Sequence, residues 1–93
     1  MNQPLNISRD KVSSLSYVEG DVMNTVKDIQ RRSEAIHKAT YLGNLKHQKV
    51  YIQFNTGSFF YQVHTTIWLH YNNNIYLKGN IKVPVERILG IHF

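Results

Sequence analysis

Gly79-Asn80-Ile81-Lys82-Val83-Pro84-Val85-Glu86-Arg87-Ile88-Leu89-Gly90-Ile91 is the stretch that decides the fold. Lys78-Gly79-Asn80 reads as a tight turn, because glycine and asparagine tolerate the left-handed backbone region. Ile81-Lys82-Val83 alternates as a strand does, and Pro84, which lacks an N–H to donate to a sheet ladder, ends it. Val85-Glu86-Arg87 is long enough for one helical turn, and Ile88 to Phe93 resumes as a last strand.

Working upstream, the period stays at two. Ile75-Tyr76-Leu77 is a short strand preceded by the turn Asn72-Asn73-Asn74. Phe59 to Tyr71 is one long strand, with Phe59, Tyr61, Val63, Thr65, Ile67 and Leu69 on one face and Phe60, Gln62, His64, Thr66, Trp68 and His70 on the other. Its length exceeds that of most strands, so a bend or bulge is expected near Thr65-Thr66. Asn55-Thr56-Gly57-Ser58 is a turn, and before it Val50, Ile52 and Phe54 alternate with Lys49, Tyr51 and Gln53. The strands are placed at about 48–55, 59–71, 74–78, 81–84 and 88–93.

Before Lys46 the period is helical. Val18, Val22, Val26, Ile29, Ser33, Ile36 and Thr40 recur every three or four residues. Ser16 and Glu19 have capping-box spacing, Asp21 is an alternative start, and Gly43-Asn44 is a plausible end. The helix is placed at about 17–42. Residues 1–15 are polar, contain Pro4 and Ser13-Ser14, and read as a flexible N-terminal arm. Residues 16–93 form a single α+β domain: one long N-terminal helix, then a strongly bent antiparallel meander of four to five strands.

The segment from Gly79 to Ile91 resembles the end of small barrels of the Src-homology type, and a helix before five short strands is similar to the Sm-like arrangement. The resemblance is one of topology and implies a small-barrel-like sheet. Neither an Sm-like RNA-binding motif nor the acidic cluster of a Src-homology peptide groove accompanies it. Separately, Thr65-Thr66-Ile67-Trp68, Leu77-Lys78-Gly79 and Val83-Pro84 with Arg87-Ile88 resemble a small, functionally uncharacterised bacterial family, which implies no activity.

Composition narrows the function. Ninety-three residues leave room for one core. Without cysteine there are no disulfides, zinc thiolates or thiol nucleophiles. The start at Met1 to Asn6 has neither the basic nor the apolar region of a signal peptide, and no apolar run is long enough to span a bilayer. A cytoplasmic location and no membrane partner are expected. The net charge of +5 is uneven: residues 1–37 hold five basic and five acidic side chains, whereas residues 38–93 hold six basic ones against Glu86 alone. Such a field attracts nucleic acid, anionic lipid or an acidic protein surface, although it also serves plain solubility.

No nucleophile elbow, phosphate loop or carboxylate pair is present, so no catalytic residues, cofactor or enzyme activity are expected. Nor is a metal site: His64 and His70 share a face but lie ~20 Å apart along a strand, His47 sits in a loop, and His92 brings no carboxylate with it. The candidate binding face is Lys49, Tyr51, His64, Trp68, Tyr76, Lys78 and Lys82, flanked by Gln53 and Gln62, because rings stack on bases while lysines meet phosphates. The competing reading makes the aromatic residues the platform on which the helix packs. An unbroken helix from Tyr17 would overhang a small sheet and leave Val18, Val22, Met23 and Val26 uncovered, so a homodimer through that face is expected. The competing outcome is a break at Gly20-Asp21 that shortens the helix and lets it lie across one sheet face. The leading expectation is a non-enzymatic interaction and assembly module that self-associates. The alternative is a weak, nonspecific nucleic-acid binder using the basic aromatic face.

Overall fold

The computed structural model describes residues 3–93 as an α+β fold with one long helix and about seven strands in two sheets. In chain order the elements are β1 (Leu5–Asn6), α1 (Arg9–Val12), α2 (Val26–Lys46), β2 (Val50–Asn55), β3 (Phe60–Thr65), β4 (Ile67–Tyr71), β5 (Asn74–Leu77), β6 (Ile81–Pro84), a 3-10 turn (Val85–Arg87) and β7 (Ile88–His92). One sheet has the order β1-β3-β2-β7 and the other β4-β5-β6. All pairings are antiparallel except that of β1 with β3.

The long strand expected over 59–71 breaks at Thr66, at the predicted bend, and its two parts enter different sheets. Pro84 ends β6, and one helical turn leads into β7, which pairs back onto β2. Val50, Ile52 and Phe54 are buried as their alternation requires, together with Val63, Ile67, Ile75, Leu77, Val83 and Ile88. Leu69 departs from its expected inward side and is 50% exposed. The ladder pairs Ile67 with Leu77 but Leu69 with Tyr76, so Trp68 is an extra residue on its strand. A bulge of that kind changes which face the following residues present.

The helix begins at Val26 rather than near Tyr17, which corrects the expected span and removes the overhang on which the dimer face rested. Thr25 is the N-cap, its Oγ1 accepting from the Asp28 amide at 3.1 Å. Asp21, the alternative start, is committed elsewhere. Its carboxylate takes two 2.8 Å hydrogen bonds from Arg32, whose side chain is only 3% exposed. Arg32 also donates to the Ile88 carbonyl, and Arg87 donates to the carbonyls of Gly20 and Asn55. The segment before the helix is therefore held as an irregular, non-helical stretch. Of the four residues of the expected helical face, Val18, Val22 and Met23 lie in this irregular segment, and only Val26 is helical. The Val18 amide donates to Thr56 and that of Val22 to Glu86.

At its other end α2 runs past Gly43-Asn44 to Lys46. Gly43 is not a cap but a contact: a Cβ there would strike the Ile67 carbonyl oxygen and come within 2.9 Å of Thr66 Cγ2. The absent side chain lets α2 lie directly on β4. Ile36 and Ala39 join the core from the same side of the helix.

The expected flexible arm carries β1 and α1. Val12 belongs to the core cluster, with Ile7 and Leu15 packed against it. The Ile7 amide donates to the Gln62 carbonyl, continuing the parallel pairing of β1 with β3. Among the described residues, no helix is long and apolar enough to cross a membrane.

Candidate functional site

The helix C-terminus, the break between β3 and β4 and the β5–β6 turn meet at one place. His47, just past α2, adopts a left-handed backbone (φ 56°), and its amide donates to the Gly43 carbonyl. For a residue with a Cβ that conformation is costly, and it turns the chain sharply into Lys49 and β2. The His47 carbonyl accepts from Thr66 Oγ1 at 3.4 Å. The Trp68 carbonyl accepts from Asn44 Nδ2 at 2.9 Å. The bulge at Trp68 presents its indole edge-on to the His47 ring, with 5.2 Å between centroids.

Across the β2–β3 hairpin, Tyr51 pairs with His64, and their rings stack with centroids 4.1 Å apart and planes 6° from parallel. Lys78 comes from the β5–β6 turn. Arg9 arrives from α1, and its Nε lies 3.9 Å from where a Gly79 Cβ would stand. A cavity of about 250 Å³ results, lined by Arg9, His47, Lys49, His64, Thr65, Thr66, Trp68 and Lys78. Three permanent cations and two imidazoles face it, and no carboxylate is among its lining residues. Asp10 meets the outer side of Arg9 in an exposed ion pair at 3.3 Å. An exposed pair of that kind is worth little and leaves the cationic character of the cavity in place.

Of the residues expected on the binding face, Lys49, His64, Trp68 and Lys78 come together in this cavity, and Tyr51 joins through its stack on His64. Tyr76 and Lys82 do not. They line a separate, larger groove of about 830 Å³ with Val12, Leu15, Tyr17, Ile81 and Pro84. Burial pushes the Tyr17 hydroxyl there up to about 12, which keeps it neutral. The helix uses only part of the aromatic face as its platform. Asn44 and His47 engage Trp68, whereas Tyr51 remains 41% exposed.

Arg9 and His47 were not anticipated. The usable signal was Ser8 followed by Asp10 and then Val12, a short helix start with a residue for the core. Beside the cavity, on the outward face of the first sheet, a chain of side chains crosses all four strands. Gln62 donates to Asn6, Gln53 donates to Gln62, and His92 lies 3.3 Å from Gln53. Among the described residues, no three or more metal-ligating side chains are grouped together. No family model, curated protein or solved structure matches this chain.

Proposed function

We propose that this chain is a non-enzymatic binding module that holds single-stranded nucleic acid at the cleft formed by Arg9, Lys49 and Lys78 beside the Tyr51–His64 stack. The observation that carries it is the convergence of three cations from separate elements on one cavity next to an exposed aromatic pair. Cations meet phosphates while flat rings accept bases of any sequence, which makes such binding weakly specific. Thr66 alone separates β3 from β4. That supports reading the two sheets as halves of one strongly bent, small-barrel-like sheet. A cytoplasmic setting belongs to the same proposal.

Fluorescence anisotropy with a labelled single strand tests it. Three neutralised phosphates give a slope of about −2 in log K against log salt. Lys49→Ala or Lys78→Ala lowers affinity and flattens that slope, while Lys82→Ala, outside the cleft, leaves both near the wild-type values. No binding at tens of micromolar protein, or binding indifferent to salt, removes the reading.

Self-association into a dimer is the second reading, and a different surface now favours it. Tyr41 and Leu45, one turn apart on α2, are 65% and 63% exposed. Light scattering after gel filtration decides it: a monomer mass at high micromolar concentration sinks the dimer. If the mass is that of a dimer, Leu45→Glu halves it.

A further inference from the structure

Resting on the nucleic-acid reading, we propose that the cleft takes a terminal phosphomonoester, the phosphate at the end of a strand, rather than an internal phosphodiester. Three features point this way. An internal phosphodiester has chain on both sides and needs a long groove, yet this cavity has under a third of the volume of the groove beside Tyr17. At about 250 Å³ it is also small, below the ~300 Å³ from which pockets enclose whole drug-sized ligands. One phosphate group enters, and the terminal sugar and base stay at the rim.

The charge count agrees. Arg9, Lys49 and Lys78 all line one cavity of about 250 Å³. A phosphodiester carries a single negative charge, whereas a phosphomonoester carries roughly −1.5 to −2 near pH 7 with three acceptor oxygens. Convergent donors are best used by the group with more charge and more acceptors, because charge-assisted hydrogen bonds are the strong ones. Beside the cavity, the half-exposed Tyr51 ring, stacked on the His64 that lines it, offers a flat surface for the terminal base.

The experiment compares otherwise identical labelled single strands ending in 5′-phosphate, in 3′-phosphate, or in hydroxyls at both ends. One phosphorylated strand binds about tenfold tighter than the hydroxyl-ended one, the size of one added charge-assisted contact, and the arm that gains identifies the end recognised. Arg9→Lys, which keeps the charge but loses the fork, weakens the phosphorylated strand more than the hydroxyl-ended one and so removes most of that advantage. The phosphorus resonance of the terminal phosphate shifts on adding wild-type protein. Equal binding of all three strands overturns the inference and leaves the nucleic-acid reading standing, whereas failure of all three to bind overturns both. Competition by a phosphoserine peptide as strong as that by the phosphorylated strand also overturns it, in favour of a protein ligand.

Discussion

Replacing Gly43 with alanine is expected to destabilise the protein, although the same change in an ordinary helix does the opposite. Gly43 lies inside α2, where alanine is favoured over glycine by about 1 kcal/mol. Against that stands the seam with β4, where the new Cβ would strike the Ile67 carbonyl oxygen and lie 2.9 Å from Thr66 Cγ2. A backbone carbonyl cannot rotate aside as a long side chain does, so the helix must lift. Overpacking of this kind costs about 1–3 kcal/mol, and the backbone neighbour puts this case at the upper end. The net is a loss of about 2 kcal/mol, or roughly 8–16 °C in melting temperature for a chain of this size. Trp68 is the only tryptophan and lies at that seam, so its fluorescence follows the displacement directly. Gln30→Ala, at an exposed position of the same helix, serves as the control and changes stability by only a few tenths of a kcal/mol. A Gly43→Ala protein as stable as wild type, with unchanged fluorescence, refutes the close approach.

Three further outcomes are expected. Asp21→Asn leaves the buried Arg32 guanidinium without its counter-charge; the loss is about 3 kcal/mol, the low end for a broken buried pair because Asp21 is partly exposed, and urea unfolding measures it. Hydrogen bonding from Arg32 holds the Asp21 carboxyl below its ordinary value, so this stabilisation is present above the unfolded value near ~4 and is lost as pH falls through the folded one; acid unfolding of Asp21→Asn therefore shows a weaker pH dependence. His70 is held below its ordinary value by burial and then by His37, whose ring is 5.3 Å away; stability therefore falls as pH drops below about 6.5, and a melting temperature flat between pH 7.5 and 5.5 counts against that contact. Thr25→Ala removes the cap of α2 and costs about 1 kcal/mol by thermal melting.

Local chemistry made much of the sheet legible. The alternation over Val50 to Phe54, the bend at Thr66 and the stop at Pro84 each follow from one or two neighbouring residues. What stayed hidden depends on partners far along the chain. The helical stripe from Val18 to Thr40 is periodic throughout, but Asp21 is drawn away by Arg32, and Arg87 holds the Gly20 carbonyl. Only the part after Thr25 stays helical. Leu5 and Asn6 read as arm because a two-residue parallel pairing has no local signature. The site was legible to the same extent: Lys49, His64, Trp68 and Lys78 were visible as cations and rings on strands. Arg9 required the docking of the N-terminus, and Lys82 was separated from them by the turn at Gly79-Asn80.

The two arginine clamps bear on the order in which the chain acquires structure. Arg87 holds Gly20 across 67 positions of sequence, and Arg32 reaches Ile88 across 56. Closing loops of that size carries an entropy cost that is recovered only once the distant partner is in place. Val18 is held by Thr56 and Asp21 by Arg32, but Gly20 and Val22 have no partner until Glu86 and Arg87 are in place. The stretch from Gly20 to Val22 therefore gains its contacts late. Topologies so dependent on distant contacts fold slowly. A chain shortened before Arg87 loses more than an edge strand, because the hydrogen bonds from Arg87 to Gly20 and from Arg32 to Ile88 go with it.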